Sequence, residues 1–270
     1  MQEAFYKEKG STVSILAGGT DLVPQWNENN SLKPEVLIDI KKINGFQGIH
    51  EDKDSLIIGA LTTIQEVKNS ILIQNHFGAL SDAAGQFAGV QIRHRATIGG
   101  NICNASPAGD MLPGLYAHQA DIQLINPRGN RLIPISDFIV GPGKTVLESN
   151  EIVSEIHLKK SGESSHFYKL GLRQSMAIAV INFAIAYSKD SDNAFTSLNI
   201  SAGSVAPTVV YLRSFADAIL QNVSLEKALP LVDEDISPID DIRATANYRR
   251  TVLKNVLKYT FRHECHELSE

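Results

Sequence analysis

The 270-residue sequence is poor in the features that define several common protein classes. Its two cysteines, Cys103 and Cys265, are too few for a disulfide framework or for the full ligand set of an iron–sulfur cluster. No apolar run is long enough to span a bilayer. The formal net charge is −5 and no basic tract is present, which argues against nucleic acid as the main partner. The first residues, MQEAFYKEKGS, are too polar for a secretory signal, so we expect a cytoplasmic protein.

Metal-binding patterns are scarce as well. The eight histidines include no H-x-x-x-H pair. The one dense cluster is HECH at residues 263–266, beside a predicted helix, where a solvated helix end is favoured over a metal site. We therefore predict no metal site on this chain.

What the chain does contain is enough apolar material for a sizeable core, at 43% hydrophobic residues. Residues 13–16 and 35–40 are typical of short buried strands. Residues 46–60 predict a hairpin that turns at 52–54, and residues 120–135 predict another that turns at 127–129.

After residue 60 the spacing of apolar residues changes from that of strands to that of helices. Thr63 and Glu66 have the spacing of a capping box, and Ile64, Val67 and Ile71 fall on one helical face. Residues 77–89 predict a second helix of small residues.

The composition shifts at the polar stretch KKSGESS, residues 159–165, where we place a domain boundary. Three strand-like runs follow and predict an antiparallel sheet, and helical patterns come after them. The last helix, at residues 243–263, has an apolar stripe of Tyr248, Val252, Val256 and Tyr259. The fold class predicted is α+β.

Two glycine pairs stand out as candidate binding elements. Gly18-Gly19-Thr20-Asp21 follows the first strand, and glycines let a backbone approach a ligand closely with exposed N–H groups that bind anions. Taken alone, such a turn is more often structural, and the two familiar phosphate fingerprints are absent. The second pair, Gly99-Gly100, lies in RATIGGNICNASPAGDMLPGL, which predicts a long irregular loop of functional character. Two such loops suit a pyrophosphate held from two sides.

At this point the sequence resembles a known family. LAGGTDLVPQW and QIRHRATIGGNICNASPAGD are similar to the two FAD-binding motifs of the flavin subunit of molybdenum hydroxylases, the xanthine, nicotinate and carbon monoxide dehydrogenase group. The resemblance continues through GPGKTVLESNEIV and FYKLGLRQSMAIAVI, in the family's order. It implies a two-part FAD-binding domain of the PCMH (vanillyl-alcohol-oxidase-like) type at residues 1–160. A smaller C-terminal domain with a three-stranded antiparallel sheet and helices would occupy residues 165–270.

The resemblance also implies which residues bind FAD. A first group would wrap the pyrophosphate: Ile15, Leu16, Ala17, Gly18, Gly19, Thr20, Asp21 and Leu22. A second wall would consist of Thr97, Gly99, Gly100 and Asn101. The remaining contacts would be Phe87 and Ala88 near the flavin or adenine ring, Asp110 at the ribityl or ribose side, Leu147 at the adenine end and Lys169 near the isoalloxazine. Without the resemblance, Lys169 would be taken as an ordinary exposed strand lysine.

The function implied is electron transfer, with no catalytic residue assigned on this chain. Electrons would come from [2Fe–2S] clusters on a small partner subunit and pass through FAD to NAD⁺ or another acceptor. The molybdenum cofactor would sit on a large partner subunit. The loop at residues 173–179 carries no acid, where related subunits often have one near the flavin, which leaves the acceptor open.

Three alternatives remain. The chain could be the nicotinate-dehydrogenase type of subunit rather than the xanthine-dehydrogenase type. It could be a stand-alone FAD oxidase, for which His76, His94 and His166 are the only candidate bases near motifs, or a nucleotide-binding regulatory module.

The last helix carries a candidate docking element, although a solvated helix face is favoured there. Its basic residues are Arg249, Arg250, Lys254 and Lys258.

Overall fold

The computed structural model describes residues 6–8, 11–30 and 33–263. Its first sheet has three strands, β1 (Tyr6–Glu8), β2 (Ser11–Leu16) and β3 (Val36–Asp39), in the order β1-β2-β3. β2 and β3 are parallel, and the connection between them contains helix α1 (Leu22–Glu28). Parallel neighbours need such a crossover, which places the Gly18–Gly19 turn at the carboxyl end of β2.

A second, antiparallel sheet has five strands in the order β4-β5-β10-β6-β7. Its strands are β4 (Ile49–Asp52), β5 (Ser55–Gly59), β6 (Asp121–Asn126), β7 (Gly129–Pro134) and β10 (Ile152–Lys159). Both predicted hairpins are present as β4–β5 and β6–β7. Two short strands, β8 (Ile139–Gly141) and β9 (Lys144–Thr145), form a separate pair between β7 and β10.

Short helices connect and cover these sheets: α2 (Ile64–Asn69), α3 (Ile71–His76), α4 (Gly78–Gln86), α5 (Val90–Arg93), α6 (Ile98–Asn104), α7 (Met111–Ala117) and α8 (Ile135–Phe138). The capping box of Thr63 and Glu66 at the start of α2 is confirmed. The prediction for Ile71 was wrong, because a new helix begins there and leaves its side chain 64% exposed.

The C-terminal part is an antiparallel sheet of β11 (Ser164–Gly171), β12 (Ala179–Lys189), β13 (Phe195–Gly203) and the two-residue β14 (Val210–Tyr211). The three predicted strands are confirmed, and β14 adds a short fourth. Helices follow as α9 (Arg213–Leu220), α10 (Leu225–Ala228), α11 (Val232–Asp235) and α12 (Ala246–His263), with a 3₁₀ turn at Leu229–Leu231.

Strand β12 joins the two parts of the molecule. Ala184 and Ala186 belong to the core that includes α4 and α7, whereas Phe183 and Ile185 belong to the C-terminal core. This alternation follows from the two-residue period of a strand buried on both faces. The α+β class and the order of its two parts are confirmed. The domain limits at 1–160 and 165–270 stay a prediction, since the core crosses that boundary.

Two predicted faces differ from the structure. Strand β3 was predicted to be buried, but Val36, Leu37 and Ile38 are each more than 40% exposed, because β3 is the edge of a small sheet. In α12 the buried stripe is Leu253, Leu257 and Phe261, next to the predicted one. Tyr248 and Tyr259 point outward, where their hydroxyls meet water.

No helix in the described ranges is long and apolar enough to cross a membrane. Within the same ranges, no group of three or more His, Cys, Asp and Glu side chains could hold a metal ion. Most of the HECH cluster, including Cys265, lies outside the described residues.

Candidate functional site

The Gly18–Gly19 turn lies directly against the second glycine motif. A Cβ atom at Gly18 would run into the backbone carbonyl of Arg95, so only glycine permits this approach. Gly19 has φ +72°, a left-handed conformation that favours glycine. Among the described residues, none accepts a hydrogen bond from the N–H groups of Gly18, Gly19 or Thr20. The turn therefore presents backbone donors that an anion would satisfy.

The second glycine pair is helical, so the prediction of a long irregular loop was wrong. Thr97 caps α6, and its Oγ1 accepts a hydrogen bond of 3.1 Å from the N–H of Gly100. A Cβ at Gly99 would lie 2.7 Å from the Cβ and the carbonyl oxygen of Ala60. Because glycine has no Cβ, α6 can pack closely on the end of β5. The small residues of this segment suggested a loop, but Gly99 is instead required by the close packing of α6.

The two motifs share one cavity of about 350 Å³. Many of the predicted contacts line it: Gly18, Gly19, Thr20, Asp21, Leu22, Phe87, Ala88, Thr97, Gly100 and Asn101. The side-chain oxygen Oδ1 of Asn101 is buried there without a hydrogen-bond partner in the described part of the chain. A buried orphan acceptor beside unpaired backbone donors fits a bound polar ligand.

A larger cavity of about 630 Å³ adjoins the first. The two share Asp21, Phe87, Ala88, Asn101, Asn104 and Ile178, and the larger one extends to Asp110. On the other side of α6, a small cavity of about 40 Å³ is lined by Ile15, Ala17, Gly99 and Leu147 together with Gly100. Leu16 does not line these cavities; its Cδ1 lies 2.9 Å from the Cβ position of Gly19 and supports the turn from below.

Asp110, which lines the larger cavity, forms a buried ion pair with Lys169, which lines a neighbouring cavity of about 430 Å³. The Nζ of Lys169 lies 2.6 Å from the Oδ2 of Asp110, and the two side chains are 6% and 10% exposed. Lys169 also donates to the carbonyl of Gln86, and Asn182 donates to the other oxygen of Asp110. Burial raises the pKa of Asp110, and the Lys169 ammonium acts in the opposite direction. The interpretation of Lys169 as an ordinary exposed lysine is therefore wrong.

Arg93 was missed in the sequence, although it shapes the corner at Phe87 and Ala88. Ala88 has φ +37°, in the left-handed region. Nη1 of Arg93 donates to the carbonyls of Phe87 and Ala88, at 2.9 and 3.2 Å, and its Nε donates to Gln65. A buried guanidinium that satisfies two carbonyls offsets the cost of this backbone conformation.

Arg249 was expected on a solvated helix face, or else in a docking element, and both expectations are wrong because it is buried. Its side chain is 4% exposed and lies 2.7 Å from Asp241. It donates to the carbonyls of Val180 and Ser204, which ties α12 to β12 and to the end of β13. Burial alone would raise the pKa of Asp241, but the N–H groups of Arg243 and Ala244 and the charge of Arg249 together lower it to about 2.

Arg250 and Lys254 of the same predicted docking element also have partners. Both pair with Asp233 on α11, at 3.3 and 2.8 Å. Their charges therefore bind α12 to a neighbouring helix of the same chain.

The three histidines considered as bases do not face the site. His76, His94 and His166 are absent from the linings of both cavities. The residues 176–178 border the larger cavity instead, with Met176 and Ile178 more than half exposed. No general base of an oxidase is therefore contributed by these histidines.

The parallel β2–β3 unit, the paired glycine motifs and the connected cavities define a chain with a site suited to a large ligand that carries an anionic group. The family model described as "FAD binding domain in molybdopterin dehydrogenase" matches residues 1–159. The model described as "CO dehydrogenase flavoprotein C-terminal domain" matches residues 166–263. The chain belongs to the family of FAD-binding subunits of molybdenum hydroxylases.

The sequences of known relatives align with nearly the whole of this chain. The nicotinate dehydrogenase FAD-subunit of Eubacterium barkeri is 32% identical over 257 residues, which cover 92% of this chain and 86% of that protein. The xanthine dehydrogenase FAD-binding subunit of Escherichia coli O157:H7 is 34% identical over 254 residues, with coverage of 90% and 86%. A chain in the structure of carbon monoxide dehydrogenase from Hydrogenophaga pseudoflava superposes with a TM-score of 0.86 at 28% identity, covering 93% of this chain and 88% of that chain.

Proposed function

We propose that this chain is the electron-transfer subunit of a multi-subunit molybdenum hydroxylase, with FAD held in the connected cavities. The observation that carries the proposal is the single cavity shared by Gly18–Gly19 and Thr97–Asn101, two motifs far apart in sequence. Backbone donors of the Gly18–Gly19 turn would hold the pyrophosphate, and residues Thr97–Asn101 would form the opposite wall. The buried Oδ1 of Asn101 would accept a hydrogen bond from the ligand.

The other predicted contacts follow the course of the nucleotide. Asp110 and Lys169 would lie at the flavin end of the larger cavity, where the corner at Phe87 and Ala88 forms one wall. Leu147 would contact the adenine from the small apolar cavity on the far side of α6. Bound FAD supplies the redox chemistry, and this chain supplies its binding, orientation and local charge.

Electrons would enter from [2Fe–2S] clusters on a small subunit and leave for NAD⁺ or another acceptor, while a large subunit would carry the molybdenum cofactor and the substrate site. Relatives named as FAD-subunits and medium chains support an assembly of this kind. The sequence also has only two cysteines, so clusters would have to come from other chains. The identities of 32% to a nicotinate dehydrogenase subunit and 34% to a xanthine dehydrogenase subunit support both types.

The test begins with the purified chain. We expect a yellow protein that releases one FAD on denaturation, whose chemically reduced flavin is reoxidised by its acceptor. Co-purification with the products of neighbouring genes should then recover a complex in which the organic substrate reduces the flavin. A colourless protein that does not take up FAD would contradict the proposal. Reduction of the flavin by a small substrate without partner chains would favour the stand-alone oxidase.

A further inference from the structure

An ion pair between a buried carboxylate and a partly exposed guanidinium borders the small cavity at the proposed adenine end. Glu151 has a side chain only 2% exposed, and Arg131 reaches it from β7. Nε and Nη2 of Arg131 each lie 2.8 Å from one oxygen of the carboxylate, so the pair is bidentate. Such pairs fix both distance and orientation. Because the carboxylate is buried and already paired, it is not available as a base or as a ligand to a cation.

The same pair holds the backbone on both sides of Leu147. Nη2 of Arg131 donates to the carbonyl of Val146 at 3.2 Å. The N–H of Glu148 donates to the carboxylate of Glu151 at 3.0 Å. The peptide groups before and after Leu147 are thus bound to one ion pair, while the amide of Leu147 itself makes a longer bond of 3.3 Å to Thr145.

Leu147 is the residue whose position matters for a ligand. It lines the small cavity with Ile15, Ala17 and Gly100, and Gly100 also lines the cavity that would hold the pyrophosphate. At about 40 Å³ the cavity has room for roughly one water molecule, so a purine would cover its mouth rather than enter it. The apolar wall against which the base rests must then be held in place by the protein.

We propose that the Arg131–Glu151 pair is a positioning device that makes the chain select FAD over FMN, by holding Leu147 against the adenine. FMN has the flavin and one phosphate but no adenosine, so it makes none of these contacts. The inference rests on the proposed function, since it assumes that the adenine lies beside Leu147. It assigns to Arg131 and Glu151 a role that is distinct from simple stabilisation of the fold.

The test compares three probes on the apo-protein: FAD, FMN and ADP, each titrated by fluorescence or calorimetry. For Glu151→Gln we expect the dissociation constants of FAD and ADP to rise by about tenfold or more, corresponding to about 1.4 kcal/mol. The constant for FMN should change less than twofold. The matched control is Arg262→Gln, which breaks an exposed ion pair with Glu226 on the other part of the chain and should leave all three constants unchanged.

Equal weakening of all three probes would overturn the proposal, because a general structural role predicts that result, and so would no change for any of them. If Glu151→Gln does not fold, Arg131→Lys and Leu147→Ala decide the question by the same ratio. Arg131→Lys keeps the charge but loses the bidentate contact. Failure of the unaltered chain to bind FAD would instead contradict the proposed function, so the two failures are distinguishable.

Discussion

The Nζ of Lys169 on β11 lies 2.6 Å from the Oδ2 of Asp110, the residue that precedes α7. One charge thus comes from each of the two parts of the chain. Asp110 lines the larger cavity and Lys169 lines a neighbouring cavity of about 430 Å³, and the flavin is proposed to lie beside the pair. Its net charge of zero depends on both members, so changing either one alters the electrostatic environment of a bound flavin.

Replacing one member of this pair should shift the flavin potential in a direction set by the charge removed. Lys169→Met removes a positive charge and leaves Asp110 alone, so we expect a lower midpoint potential with FAD still bound. A change of about 1.4 kcal/mol corresponds to about 30 mV for a two-electron couple. Asp110→Asn should shift the potential upward. Spectroelectrochemical titration measures both, and an unchanged potential in both variants would remove the pair from this role.

A side chain at Gly18 or Gly19 should abolish FAD binding without unfolding the protein. Gly18→Ala places a methyl group against the carbonyl of Arg95 and separates the two motifs. Gly19→Val adds a branched side chain at φ +72°, next to Leu16. We expect folded, colourless proteins in both cases, as judged by circular dichroism and by flavin content.

Gly141→Ala is the matched control for these two variants. Its Cβ would make only ordinary contacts of 3.8 Å with the side chain of Lys144. It should keep stoichiometric FAD. Full FAD retention by the Gly18 and Gly19 variants would show that the pyrophosphate lies elsewhere.

Arg93 should affect FAD release more than stability. Arg93→Gln removes a donor from the carbonyls of Phe87 and Ala88, and an alanine at φ +37° then costs about 1–2 kcal/mol without compensation. We expect the backbone at Phe87 and Ala88 to relax and FAD to dissociate roughly tenfold faster. The rate is measured by stopped-flow mixing with an excess of a second apo-flavoprotein that captures the released FAD. Arg95→Gln changes a nearby arginine and leaves both bonds from Arg93 in place, so it serves as a comparison in the same assay. Equal release rates in both variants would argue against the role of Arg93.

His118 should make the stability of the protein depend on pH. Its ring is buried and its Nε2 lies 3.0 Å from the Oγ of Ser165. Burial lowers the pKa of His118 to about 4 from 6.5, so the unfolded chain binds more protons between those values. The free energy of unfolding should fall as the pH drops from 6.5 to 4, by up to about 3 kcal/mol from this group.

Urea denaturation at a series of pH values measures this slope. His118→Gln removes the titrating ring and should flatten the profile in that pH window, even if it lowers the overall stability. A profile of the same slope in the variant would assign the pH dependence to other groups.

The sequence predicted features that depend on local rules. The hairpins at β4–β5 and β6–β7, the capping box at Thr63 and the three long strands of the C-terminal sheet follow from periodicity, turn residues and caps. These signals act over a few residues and do not require knowledge of distant contacts. The resemblance of the glycine motifs then pointed to the family, which the comparisons confirm.

Only the tertiary structure decided which charged side chains are buried. Arg249 and Lys169 read as surface residues in the sequence, but both are buried. Lys169 pairs with Asp110, 59 residues away, and Arg249 donates to the carbonyls of Val180 and Ser204, 69 and 45 residues away. Glu151 is likewise buried against Arg131, and Arg93 is buried because the turn at Phe87 and Ala88 presents two carbonyls to its guanidinium. A charged residue is buried where the folded chain supplies its partners, and because only folding brings these partners to it, no local sequence pattern reveals them.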